Sequence, residues 1–226
     1  MKKLSKLFHL CAYDIKYKSI GNHVNYAFLE EDDTLYIFFQ GSVETIDWFR
    51  NFFFFKTKKK PYKEMQISYK VHRGFLEAWK EVEDLIINKI CEDDDKGNHR
   101  WKEINVVGYS HGGALAAFCH ECVWYWRPDL RENNLHGYGF EAPRIYGCYH
   151  VKKELKERWK NILVIRTNND LVTHCPPFIL GYTHVGNMLK IKGDTSLVDN
   201  KQPRCIKSHY PQVVLDALLK KENESN

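Results

Sequence analysis

The chain has 226 residues, a formal net charge of +5, and 43% hydrophobic, 14% aromatic and 28% charged residues. That length and composition fit one globular core of ordinary α/β size, and no apolar run is long enough to span a membrane. The mild positive charge bears on solubility and on attraction to anionic surfaces, and gives no reason to expect a nucleic-acid partner.

At the N-terminus, Leu4 to Ala12 is broken by Ser5, Lys6 and His9 and carries no small-residue cleavage site, so no signal peptide is expected. Leu4 to Tyr17 reads as a helix. Asn22 to Leu29 and Leu35 to Gln40 read as strands joined by the turn Glu30-Glu31-Asp32-Asp33, an antiparallel start to a sheet. A helical turn is expected over Thr45 to Arg50, then Asn51 to Lys56, a basic loop to Lys63, and a strand near Met65 to Val71. Phe75, Trp79, Val82, Leu85, Ile86 and Ile90 recur at helical spacing and predict a helix over Phe75 to Cys91, followed by a solvated acidic loop, Glu92 to Gly97.

Next come a strand at Glu103 to Val107, a small-residue helix over Ala114 to Val123, a strand near Leu135 to Phe140, a helix near Val151 to Trp159 and a strand at Ile162 to Ile165. Tyr182 to Val185 and Met188 to Ile191 suggest a hairpin, and a last helix holds Val213, Val214, Ala217 and Leu218. Strands alternating with helices argue for a mixed, mostly parallel sheet covered on both faces. The expected organisation is one α/β domain over residues 1–222, with 223–226 as a disordered tail.

Seven cysteines (Cys11, Cys91, Cys119, Cys122, Cys148, Cys175, Cys205) are scattered without a framework spacing. Together with the N-terminus they lead to the expectation of a reducing, cytoplasmic location, with exit by another route left open. Cys119-His120-Glu121-Cys122 has no matching second pair of metal ligands and reads as buried small residues of a helix.

The chemistry is concentrated at Gly108-Tyr109-Ser110-His111-Gly112, a G-x-S-x-G between a strand and a helix. On such a turn the serine hydroxyl is forced outward, and the glycines remove Cβ atoms that would collide. A serine nucleophile needs a base, and the base needs a carboxylate to orient it, in the chain order Ser, Asp or Glu, His. Asp170 directly follows the apolar strand at Ile162 and so falls at the carboxyl edge of the sheet. Of the three later histidines, His174 is close in sequence to Asp170 and His184 sits in the expected hairpin. His209, just before the last helix, is the candidate base.

With these residues in hand the chain resembles the class 3 lipase family of α/β hydrolases. The likeness is carried by Phe39-Gln40-Gly41-Ser42 with Asp47-Trp48, by Val71-His72-Arg73-Gly74-Phe75, and by the elbow from Gly108 to Ala114. It continues through Phe140-Glu141-Ala142-Pro143-Arg144, Asp170 with Pro176-Pro177, His184-Val185-Gly186 and His209. The sequence differs from the family pattern in having Gln40 where arginine is common, His111 where leucine is usual and Glu141 where glycine is usual. A carboxylate near a sheet core is costly unless paired, so Glu141 needs a local partner.

The resemblance implies a single-domain α/β hydrolase that cleaves carboxylic esters, acylglycerol lipids foremost, through an acyl-enzyme, with Ser110, Asp170 and His209 as the triad. Ser42 and the His111 N–H would form the oxyanion hole, and no metal or organic cofactor is required. Alternatives are a short-chain carboxylesterase or phospholipase without interfacial activation, or a catalytically silent lipid-binding protein. A candidate lid holds Ile46, Trp48 and Phe49. Phe52 to Phe55, followed by Lys56, Lys58, Lys59, Lys60 and Lys63, read as a buried strand ending in a solvated lysine turn. The competing reading is a patch that adsorbs to an anionic lipid interface.

Overall fold

Short β-branched and aromatic runs bounded by turn residues build the centre of the molecule. The computed structural model describes residues 3–22, 24–41, 55–59, 68–148 and 150–224. In chain order, α1 (Leu4–His9) leads to β1 (Lys18–Ile20), β2 (Val24–Glu31), β3 (Thr34–Phe39), β4 (Lys56–Lys59) and β5 (Tyr69–His72). Then come α2 (Arg73–Ile90), β6 (Glu103–Tyr109), α3 (His111–Trp126), β7 (Leu135–Phe140), α4 (Lys153–Arg158), β8 (Ile162–Thr167) and β9 (Asn187–Ile191). Two helices, α5 (Arg204–Lys207) and α6 (Pro211–Asn223), close the chain.

Among the described residues, seven strands form one sheet in the order β1-β2-β3-β6-β7-β8-β9. The first three pair antiparallel, and each pair from β3–β6 to β8–β9 is parallel. This is the mixed, mostly parallel sheet expected of an α/β hydrolase. Residues on β3 alternate between two cores: Leu35, Ile37 and Phe39 pack with α2 and α3, whereas Tyr36 and Phe38 pack with α1 and α6. Period-two alternation on a strand thus feeds helical layers on both faces. On α2 the spacing of Phe75, Trp79, Val82, Ile86 and Ile90 places all five in the core.

Several elements differ from the sequence reading. The first helix gives way to a π-helical turn at Leu10–Asp14, and the Tyr17 hydroxyl donates to the Cys11 carbonyl at 2.7 Å. The hairpin expected from Tyr182 to Ile191 does not form. Instead β9 adds in parallel to β8, while Thr183 makes only an isolated bridge with Tyr146. Gly186 lies in the left-handed region at φ 76°, where a Cβ would come within 2.4 Å of the Ile162 carbonyl oxygen. That bend sends the chain alongside β8. The last helix includes Asn223, which the sequence reading assigned to a disordered tail.

The basic segment after Phe55 begins as a strand: β4 pairs antiparallel with β5. Lys59 is buried, with Nζ 3.5 Å from Glu121 Oε2. Glu121 on α3 also accepts from the Tyr69 hydroxyl and from Arg158 Nη1 at 3.3 Å. Its carboxylate is a buried anchor that ties the small sheet to α3. The expected helical turn at Thr45 to Arg50 lies outside the described residues.

Candidate active site

The site starts from the turn between β6 and α3. Ser110 adopts φ 55° and ψ −123°, a conformation uncommon for a residue with a side chain, and donates its backbone N–H to the Phe140 carbonyl at 2.8 Å. The adjoining glycines are required by close packing. A Cβ on Gly108 would lie 2.0 Å from the Gly112 carbonyl oxygen, and one on Gly112 2.1 Å from that of Phe39. Small residues there let α3 sit directly against the sheet edge.

Asp170 follows β8 and is fully buried. Its Oδ1 accepts the Val172 N–H at 2.8 Å, and its Oδ2 lies 2.7 Å from His209 Nδ1. The other ring nitrogen of His209, Nε2, is 2.9 Å from Ser110 Oγ. With Nδ1 donating to the carboxylate, Nε2 carries the lone pair that accepts the serine hydroxyl. Ser110, His209 and Asp170, separated by 99 and 39 residues, therefore form one continuous hydrogen-bonded chain.

Two further bonds hold the loops together: Leu171 N–H donates to the Cys205 carbonyl at 3.0 Å, and the Thr167 hydroxyl donates to that of Ser208 at 3.1 Å. Burial pushes the Asp170 carboxyl up, but His209, Glu141 and the Val172 N–H outweigh it and hold the group below its ordinary value. Asp170 is thus ionised where His209 needs an anion.

His174 and His184 have other partners. His174 Nδ1 is 2.7 Å from the Asp170 carbonyl oxygen, and His184 Nε2 is 2.9 Å from that of Thr173. Burial pushes the His184 imidazole down to about 4, so it stays neutral as a packed, hydrogen-bonded ring. His111 opens α3, where a backbone N–H has no intrahelical acceptor; its buried ring lies 5.6 Å from that of Phe75. Ser42, Ile46, Trp48 and Phe49 lie outside the described residues. Gly41 approaches the elbow so closely that a Cβ there would stand 3.1 Å from Ser110 Cβ.

Tyr109 and Glu141 join the site through contacts that sequence reasoning did not assign. Tyr109 stacks on the His209 ring, with centroids 5.2 Å apart and planes at 21°, and its hydroxyl donates to the His209 carbonyl. Glu141 is fully buried; its Oε1 accepts the Thr167 N–H at 2.7 Å. The sequence signals were a tyrosine inside the elbow motif and a glutamate needing a partner.

The family profile for "Lipase (class 3)" matches residues 36–180. The chain belongs to the class 3 lipase family. This class 3 family member is 29% identical to a lipase of Rhizomucor miehei over 163 residues, 70% of this chain and 41% of that protein. It is also 29% identical to secreted mono- and diacylglycerol lipase 1 of Fusarium solani over 145 residues, 64% of this chain and 40% of that one. The chain spans about two fifths of the length of these curated relatives.

Among solved structures, a triacylglycerol lipase whose catalytic centre is described as a serine protease triad is 26% identical, with a TM-score of 0.65 over 90% of this chain and 78% of that one. Native Rhizomucor miehei lipase in complex with its propeptide aligns at a TM-score of 0.61 and 23% identity, over 91% of this chain and 68% of its own, a likeness of fold. The Fusarium relative is secreted by its own description, which overturns the expectation of a cytoplasmic location. Three of the seven cysteines, Cys11, Cys119 and Cys122, are buried core residues whose presence is explained by packing and carries no information on compartment.

Proposed function

We propose that this chain is a serine hydrolase of carboxylic esters, acting on acylglycerol lipids through an acyl-enzyme in a single catalytic domain. The observation that carries this reading is the His209 ring, which spans from Ser110 Oγ at 2.9 Å to Asp170 Oδ2 at 2.7 Å. As His209 Nε2 takes the hydroxyl proton, Ser110 Oγ attacks the ester carbonyl, and Asp170 stabilises the imidazolium that forms. The carbonyl oxygen becomes an oxyanion beside the N-terminus of α3, where the His111 N–H donates, with Ser42 as second donor. His209 returns its proton to the leaving alcohol, then activates a water that releases the acid from Ser110.

Acylglycerols as substrates are supported by the family and by the relatives named for mono-, di- and triacylglycerol hydrolysis. A lipid surface as the place of action is supported by Phe178, Ile179 and Leu180, consecutive apolar residues that are 54%, 80% and 45% exposed. Lys56 binds the Leu180 carbonyl beside them, bringing positive charge to the same surface. Buried Lys59 cannot contribute to that charge.

The test is hydrolysis of p-nitrophenyl esters of increasing chain length, with and without anionic vesicles. Wild type is expected to turn over these esters, to favour longer chains and to gain rate on the vesicles, and Ser110→Ala to lose all turnover above background. Activity retained by Ser110→Ala would refute the mechanism; a preference for short chains that vesicles leave unchanged would favour a simple esterase.

A further inference from the structure

Glu141 stands in the left-handed region at φ 48°, where glycine carries no steric penalty, and its carboxyl is fully buried. Each feature is costly alone, and their coincidence next to the site calls for a reason. One carboxyl oxygen of Glu141, one of Asp170 and a ring nitrogen of His209 all lie within 4.8 Å of one another. Two carboxylates that close in a buried site cannot both carry charge, so one holds a proton. Asp170 already accepts from the Val172 N–H and from His209, the partners of an anion. Glu141 accepts the Thr167 N–H at Oε1, and its Oε2 lies a long 3.4 Å from the Thr167 hydroxyl, which already donates to the Ser208 carbonyl.

We propose that Glu141 is a positioning residue of this site, a neutral carboxylic acid that donates a hydrogen bond to the Asp170 carboxylate; the proposal rests on the triad described above. Burial, reinforced by Asp170, pushes the Glu141 carboxyl well above its ordinary value, in agreement with that assignment. The titratable groups around it are Asp170 after β8, His209 before α6 and Tyr109 at the end of β6. A neutral donor keeps Asp170 ionised and aimed at His209 Nδ1 without adding a second negative charge beneath the imidazole. A glycine in its place would leave Asp170 one donor short.

The test compares Glu141→Gly and Glu141→Gln in the full chain by ester hydrolysis across pH and by thermal melting. Glycine suits the backbone and removes a buried carboxyl, so Glu141→Gly is expected to melt no lower than wild type yet to lose about tenfold or more in kcat at similar KM. Glutamine keeps both the acceptor for Thr167 and a donor for Asp170; it is expected to restore most of that loss and to leave the acid limb of the kcat/KM profile in place. In a Ser110→Ala background, infrared spectroscopy at neutral pH should show a protonated-carboxyl stretch that Glu141→Gln removes.

Wild-type kcat in Glu141→Gly, a displaced acid limb in Glu141→Gln, or no such stretch would each overturn the proposal. The single Ser110→Ala variant separates two failures. If it stays active, the triad reading falls and takes this inference with it; if it is inactive while the Glu141 variants match wild type, only the inference falls.

Discussion

At the scale of single residues, the site depends on a few hydrogen bonds whose loss has distinct costs. Asp170→Asn keeps the volume but removes the anion that fixes the His209 tautomer, so kcat/KM should drop by on the order of 10³ to 10⁴, with an unchanged melting curve as the control. Tyr109→Phe keeps the ring stacked on His209 and loses only the bond to the His209 carbonyl; a fall of about three- to tenfold in kcat is expected. Equal losses in the two variants would contradict the assigned roles. The convergence of Ser110, Asp170 and His209 into one candidate triad was legible in the sequence because acyl transfer needs those residue types in that order and each lies next to a recognisable strand or helix. The partnership of Glu141 with Asp170 was not, because 29 residues of chain separate them and only the parallel pairing of β7 with β8 brings their loops together. Charge alone said that Glu141 needs a partner, without saying which.

Elements are fixed by backbone contact as much as by hydrophobic pattern. The elbow needs glycine at 112 because the Phe39 carbonyl occupies the space of a Cβ, and a carbonyl of a paired strand cannot swing aside. Gly112→Ala is expected to cost roughly 3 kcal/mol or more and to lower Tm by roughly 6 to 12 °C. Gly97→Ala, at φ 76° with nothing within 4 Å, should cost only about 1 to 2 kcal/mol of backbone strain. Similar losses by calorimetry would remove the steric account of the elbow. Long periodic elements such as α2, and strands such as β7, carry their identity locally, and the sequence reading placed both within two residues of their ends. It failed where pairing decides. Tyr182 to Val185 and Met188 to Ile191 both look like strands, yet the bend at Gly186 directs only the second onto β8. Lys56 to Lys59 looks like a solvated loop, yet it pairs with β5 and buries Lys59 against Glu121, a contact across some sixty residues that local composition cannot report.

For the whole molecule, the buried acids beneath His209 make stability depend on pH in opposite senses. Glu141 is raised above its ordinary 4.5, so its contribution is fully present below that value and is lost as pH rises through the folded value, because the unfolded chain releases the proton first. Asp170 is lowered from 3.8, so its contribution is present above that value and lost as pH falls through the folded one. Glu141→Gln has no proton to release and should melt higher than wild type at about pH 8, the gap closing toward about pH 4. A gap independent of pH would show that Glu141 is not the group responsible. The central claim, that residues from three distant parts of the chain make Ser110 a nucleophile, is tested most directly by labelling the protein with a fluorophosphonate and locating the adduct by peptide mass spectrometry. One label per chain is predicted, on Ser110, absent in Ser110→Ala and strongly slowed in His209→Ala; a label on another serine, or none on a folded chain, would contradict it.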